Sequence, residues 1–422
     1  MPVKINTLIA IIATVSILAV PLFFSIMGLF GLEYEGSESS SAYVIYVVLI
    51  ATFSMLTYLY VSIKKGFLKQ ELILIAIIIV LFVLHIFWVI FDPVQTVLIP
   101  DFLIFFLLLG LPGFFSAATI TKLNLMVHVI RIMEVMLLII ASGVIAFSVI
   151  PTLAGVRTAS LAGASYQALS YYSAFIFGML LAYNTQIPTS FRFTWTKSKW
   201  YSGFIYVVMI SCVIGTLLGG GRGAFLLLIA YFLIYLVSLF SIHKITLNSL
   251  LRGFIRLILI IISISLFVDF FGKKDFIQFG FTRATQFISS DGGIDLAEGS
   301  SGRDVVYQVA IEYIDKNPIS GYGPFGFREK TIHAHNIFLE ILLQFGLIGV
   351  IIFITLIIIL IIKAVKNRSV FSFWVFCLLL YPMVNLMFSG AYLHDPIFIF
   401  GISLLVLLKK QKIQHYHSIS NY

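Results

Sequence analysis

The residues best suited to chemistry in this chain gather at one junction. In Thr331-Ile332-His333-Ala334-His335-Asn336 a long polar stretch runs into an apolar segment, and Glu340 follows one turn later on the face of Asn336. A histidine at a helix start feels the positive end of the helix dipole. Its pKa is lowered there, leaving a neutral ring able to accept a proton near pH 7. The same place equally suits a capping histidine. His333 and His335 flank Ala334 at a spacing open to metal ligation, but there is no nearby cysteine, and the remaining histidine on this face, His394, is distant. Neither a metal nor a cofactor is expected.

Arginines supply the complementary charge. Arg157 lies in the short connection SVIPTLAGVRTASLAGASYQ, and Arg222 in the glycine-rich break LLGGGRGAFLLL between two apolar segments. An arginine at a membrane boundary without a neighbouring carboxylate needs a partner. It either snorkels to headgroup phosphates or holds its guanidinium for a phosphate or pyrophosphate, which it can grip bidentately. The flanking glycines would let a bulky anion approach the backbone, while Gly215 and Gly219 also have the spacing of close helix packing. Arg303, in Ser301-Gly302-Arg303-Asp304, is either ion-paired locally or turned toward an anion; Arg283 and Arg328 are lesser candidates. Tyr322, in the turn-rich Gly321-Tyr322-Gly323-Pro324-Phe325-Gly326, joins the substrate-binding candidates, and Asp395 is a further acid near a helix start.

The elements that must position these residues are membrane helices. The chain is 60% hydrophobic and 11% charged, with mean hydropathy +1.08, far from the balance of a soluble domain. Its apolar runs are continuous, not alternating, and many approach the ~20 residues that cross a bilayer as a helix, which argues against a β-barrel. The sequence therefore reads as an all-α polytopic membrane protein with about twelve spans, from 5–32 at the start to 397–408 at the end. The first run is taken as a retained helix, not a signal peptide. The run at 102–120 looks interrupted by Gly110, Pro112 and Gly113, and the last run is short. Most of the 27 lysines and arginines fall in segments on one side if both termini are cytoplasmic, while Glu33, Glu35, Glu38, Asp92 and Asp101 fall on the other. The expected organisation is nine spans in 1–271, a long periplasmic loop in 272–336, and three spans with a cytoplasmic tail in 337–422. Within the loop, 305–314 reads as a short amphipathic helix closed by Asn317-Pro318. Cys212 and Cys377 both lie in apolar runs, so no disulfide is expected. The net charge of +9 belongs to topology, and no nucleic acid is implied.

His335-Asn336, nine residues, Gly346, two residues and Gly349 resemble the H-[NSQ]-x9-G-x-x-[GTY] motif of the bacterial O-antigen polymerase and ligase superfamily (Wzy and WaaL proteins). NPISGYGPFGF is similar to that family's Asn-Pro-x-x-Gly-x-Gly stretch, with Arg303 upstream. Gly221-Arg222-Gly223-Ala224 resembles its Ser/Thr-Arg-Gly-Ala element, with Gly in place of Ser or Thr. Arg157 followed by GASYQALSYYS resembles its earlier outer-loop arginine. These elements occur in family order between Arg157 and Gly349.

The resemblance implies a GT-C-like fold and metal-independent, inverting glycosyl transfer at the periplasmic face of the bacterial inner membrane. The donor would be an undecaprenyl-pyrophosphate-linked oligosaccharide, and the acceptor another lipid-linked repeat in a polymerase or lipid A core in a ligase. It assigns catalysis to His335, Arg222 and Arg303, and substrate binding to Arg157, Asn336, Glu340, Tyr322 and His333. Membrane lipid and a chain-length regulator are the implied partners. The polymerase is favoured over the ligase because the loop is rich in tyrosine and glycine, with few basic residues for a phosphorylated core. A polysaccharide flippase or secondary carrier is the rival from another class. The scarcity of ionisable groups inside the apolar runs and the lack of matching broken helices speak against it.

Overall fold

The computed structural model describes residues 3–33, 37–91, 105–155, 160–241, 303–323, 334–367, 370–389 and 392–408. Arg157, Arg283, Arg328, His333, the run at 257–271 and most of the long loop lie outside them. Among the described residues the regular elements are helices, and the bridge between Leu161 and Ala164 is isolated. The chain is a multi-pass helical membrane protein. Six described helices are long and apolar enough to cross a bilayer, or seven if Lys4–Ile17 and Ala19–Leu29 form one broken span. About twelve were expected. The expected run at 257–271 lies outside the described residues, and Arg222–Leu236 and Pro396–Leu407 are apolar but shorter helices. The first run also divides into α1 (Val3–Ile17) and α2 (Ala19–Leu29) instead of forming a single helix.

The remaining helices are α3 (Ser37–Lys65), α4 (Lys69–Phe91), α5 (Leu111–Leu123), α6 (Met126–Gly143), α7 (Tyr166–Thr185), α8 (Lys199–Gly219) and α9 (Arg222–Ser241). After the long loop's first part come α10 (Arg303–Lys316), α11 (Ile337–Asn367), α12 (Val370–Phe388) and α13 (Pro396–Leu407). They fall into two compact units. One comprises 1–19, 47–129 and 294–422; the other comprises 20–46 and 130–293.

In the first unit α5 is the helix on which α1 and α13 pack. Gly110, Pro112 and Gly113 do not interrupt it. A π-helical turn, Phe106–Gly110, runs directly into α5, with Pro112 in the first turn after it. The glycines serve approach instead: a Cβ on Gly113 would strike the carbonyl of Pro396 and come within 2.9 Å of Phe400 N. The base of this unit holds a buried ion pair, Lys122 Nζ to Glu71 at 2.6 Å, with Tyr58 donating to the same carboxylate at 2.7 Å.

The second unit is built round α7, buried along most of its length. Ser165 caps it, accepting from Ala168 N at 3.3 Å. Helix α8 lays its Gly215/Gly219 face on α7: a Cβ on Gly215 would meet Ser173 Oγ at 2.6 Å, and one on Gly219 would strike Ser170 Oγ. Small residues at this spacing let helices approach closely where lipid offers no hydrophobic driving force. On α9, the ring of Tyr231 lies directly over Gly178.

Candidate active site

The junction begins at Ala334, which is buried. His335 follows with φ 50°, the left-handed region that side chains other than Asn, Asp, Gly and His rarely adopt. Asn336 then caps α11. Its side-chain oxygen accepts from Phe338 N at 3.0 Å and Leu339 N at 3.3 Å, while its carbonyl takes Glu340 N at 2.8 Å. The cap explains why Asn suits the position after the histidine: the first amides of a helix otherwise lack acceptors. The cap also fixes where the chain enters the helix, and so where the His335 ring stands. Burial, and then the positive charge of Arg303, hold the His335 pKa below its ordinary 6.5. A helix start alone predicts this direction through its dipole; in the folded chain burial and a guanidinium account for it.

Arg303 reaches this neighbourhood because of α10. The amphipathic helix expected over 305–314 is present and extends over Arg303–Lys316, with Asn317 at its end. Its buried stripe is carried by Ala310, which packs with Ala334 and Leu343, backed by Tyr313, Ile314 and Leu339. The opposite side, including Gln308 and Glu312, is exposed. The first residue of α10 is thereby set near the entrance of α11.

Helix α11 is not continuous. Gly346 has φ 61° and ψ −160°, so the apolar run expected as one spanning helix is broken after its first two turns. The break is filled by the turn that follows α10. Tyr322 N donates to the Leu343 carbonyl and Gly323 N to that of Gln344, each at 2.8 Å, and Leu347 N donates to the Pro318 carbonyl at 2.8 Å. The groups the break removes from the helix ladder thus find partners in Pro318-Ile319-Ser320-Gly321-Tyr322-Gly323. Both sides need glycine. A Cβ on Gly346 would strike the Ile319 carbonyl, and one on Gly321 (φ 66°) would meet the Gln344 carbonyl oxygen at 2.6 Å. Tyr322 is engaged in the same construction, its hydroxyl donating to the Tyr313 carbonyl at 2.8 Å and its ring meeting that of Tyr313 edge-on.

Behind the junction runs a buried polar chain. Glu340 is 1% exposed and accepts from Gln344 Nε2 at 3.4 Å, and Gln344 Oε1 accepts from Tyr392 at 2.7 Å. Asp395 caps α13, accepting from Phe398 N at 2.9 Å, and burial pushes its carboxyl up to about 6. In the second unit Arg222 is the first residue of α9, after Gly220, whose φ of 61° ends α8. Gly221 N donates to Ser170 Oγ at 3.0 Å, which fixes the elbow against α7.

The first unit therefore brings His335, Asn336, Glu340, Arg303 and Tyr322 together on one piece of structure, while Arg222 belongs to the second unit. Arg157 and His333 lie outside the described residues. Asn317, expected only as the end of the loop helix, also braces the turn after it, while Gln344, Tyr392 and the left-handed backbone of His335 are not expected from the sequence. Gln344 carried a signal, as a polar residue four after Glu340 within an apolar run. Among the described residues no three His, Cys, Asp or Glu side chains are grouped to hold a metal.

Residues 206–354 match the family model described as O-antigen ligase (Wzy_C). The matched stretch begins within α8 and ends in α11, so it includes Arg222, Arg303, His335, Asn336, Gly346 and Gly349, while Arg157 precedes it. No curated protein matches the chain.

Proposed function

From the premise that the chain belongs to the O-antigen ligase and polymerase superfamily through residues 206–354, we propose that it is a membrane glycosyltransferase acting on a glycan linked to polyprenyl pyrophosphate. The observation that most supports this reading lies at the mouth of α11, where burial and then the charge of Arg303 both lower the pKa of a half-buried histidine, His335. A neutral imidazole is a proton acceptor, and a nearby cation favours the departure of an anion.

The reaction balances on these groups. A sugar hydroxyl of the acceptor gives its proton to the His335 ring as its oxygen bonds to the anomeric carbon of the donor. The bond from that carbon to the pyrophosphate oxygen breaks on the opposite face, inverting the centre. The pyrophosphate leaves as an anion on its lipid and needs positive charge, not a proton. Arg222 and Arg303 are assigned that charge, with Arg157 as a further pyrophosphate contact. Asn336 and Glu340 orient the base through the helix start, Tyr322 holds the loop, and His333 is assigned to the sugar.

The acceptor is proposed to be a second lipid-linked repeat, which makes the protein a polymerase at the periplasmic face of the inner membrane. The description of the matched family supports a ligase as second reading, with lipid A core as acceptor. A deletion strain separates the two. Loss of a polymerase leaves core carrying one repeat, and loss of a ligase leaves bare core. For the chemistry itself, protein in nanodiscs is given labelled lipid-linked repeats. Elongation or transfer is expected, with a loss on the order of 10² to 10⁴ on His335→Ala. Full activity of that variant would remove His335 as the base, and labelled glycan crossing the bilayer without any new glycosidic bond would mean a transporter.

A further inference from the structure

Among the described residues, the apolar cluster that joins α10 to α11 is Ala310, Ala334 and Leu343, with partly buried Tyr313, Ile314 and Leu339 around them. Apolar contact is non-directional and lets a helix slide or roll at little cost. The three backbone bonds from Tyr322, Gly323 and Leu347 are directional and fix the register of the turn against α11. The turn is itself braced. Asn317 N donates to the Tyr313 and Ile314 carbonyls, the Asn317 side chain donates to the Gly321 carbonyl, and Ser320 Oγ donates to Asn317 Oδ1 at 2.9 Å. Tyr322 returns to Tyr313 on α10.

We propose that the Asn317–Gly323 turn, spliced into the α11 break at Gly346, is a positioning device that holds Arg303 of α10 toward His335, with Asn317 and Gly321 as its positioning residues. The proposal rests on the reading of His335 and Arg303 given above. Neither positioning residue touches the reacting groups. They act at a distance of several turns by fixing one end of α10, so that the other end presents its guanidinium at the mouth of α11. A helix anchored only by its middle would swing Arg303 away. A misplacement of about 1 Å can cost on the order of 10² in rate.

The test compares wild type with Gly321→Ala, whose Cβ opposes the Gln344 carbonyl, and the milder Asn317→Ala, which removes only the side-chain brace. Three readouts are taken in nanodiscs. Hydrogen exchange followed over 318–323 reads the splice. The rate of His335 acylation by diethyl pyrocarbonate against pH, followed by peptide mass spectrometry, reads the ring's titration without requiring turnover. Transfer from a lipid-linked glycan reads activity, also in the Arg303→Ala background. Helix α10 carries Arg303, Asp304, Glu312, Asp315 and Lys316, and the first turn of α11 carries Glu340. Of these Arg303 is the charge that lowers the His335 pKa, and phenols titrate well above the range concerned.

Both variants should exchange faster over 318–323 and shift His335 titration upward, toward the ordinary histidine value. kcat should fall roughly 10- to 100-fold, with little further loss when Arg303 is already alanine. Faster exchange with unchanged His335 titration would overturn the proposal, as would a loss of activity simply additive with Arg303→Ala, which marks general destabilisation. An inactive wild type that still shows the titration shift leaves the positioning device standing and removes the glycosyltransferase reading instead.

Discussion

His335 occupies backbone that only a few residue types tolerate. Its left-handed φ is compatible with Asn as well, so His335→Asn keeps the turn and removes the base, separating chemistry from folding. The pH dependence follows from the sign of the shift. Because the folded pKa lies below 6.5, the neutral, accepting form dominates at pH 7, and activity should decline only on acidification through that lowered value. Arg303→Ala removes one of the two causes. Its acid limb should therefore move upward while the rate at neutral pH drops; an unmoved limb in a pH–rate series would dissociate the two residues. Asp395 behaves in the opposite sense. Its folded pKa of about 6 exceeds the ordinary 3.8, so its stability contribution is fully present below 3.8 and is lost as pH rises through 6. Asn caps a helix as well as Asp does. Asp395→Asn should therefore be the more stable protein at pH 8, by about 3 kcal/mol, and melt close to wild type at pH 4.

At the scale of elements, caps and glycine faces decide where helices begin and how closely they lie. Asn336→Ala removes two acceptor contacts at the start of α11 and should cost about 1 kcal/mol of stability. Asn336→Ser restores most of it, since a hydroxyl caps as well. Thermal unfolding in detergent checks the pair. On α8, Gly219→Ala drives a methyl against Ser170 Oγ and to within 2.6 Å of the Tyr166 carbonyl. A loss of roughly 1–3 kcal/mol is expected from this overpacking, whereas alanine at Gly203, which faces open space, should be tolerated. Melting of Gly219→Ala at the wild-type temperature would mean that α7 and α8 do not need this close approach. The contrast shows what the sequence displayed and what it hid. The Gly215/Gly219 spacing was legible as close packing, because small residues four apart share a helix face. The Gly346 break was not, because a glycine within an apolar run reads the same whether the helix continues or opens.

Across the whole molecule, each compact unit contains a buried ion pair. In the first it is Lys122 with Glu71; in the second, Arg192 donates to Glu134 through Nε at 3.0 Å, with Tyr201 on the same carboxylate at 2.7 Å. Lys122 and Arg192 are thus both buried and paired, not solvated surface charges. Breaking such a pair leaves a stranded charge and costs about 3–5 kcal/mol. Glu134→Ala should therefore unfold the protein at a markedly lower temperature. Replacing Glu134 and Arg192 together with apolar residues should cost less than Glu134→Ala alone, and a larger loss for the double variant in calorimetry would contradict this account.

The sequence alone determined the class of the molecule, because apolar runs of membrane length leave the backbone little choice but helix. It also located the His335-Asn336 junction and the glycines at its side, because these need particular residue types whatever surrounds them. Only the tertiary structure decided what those residues do for one another. That Arg303 and burial together keep His335 neutral, that Glu340 meets Gln344 and Tyr392, and that Gly321 and Gly346 answer one another across a broken helix all depend on contacts between distant segments. Periodicity and composition describe what each stretch can form. They carry no record of which freed carbonyl a distant amide will find.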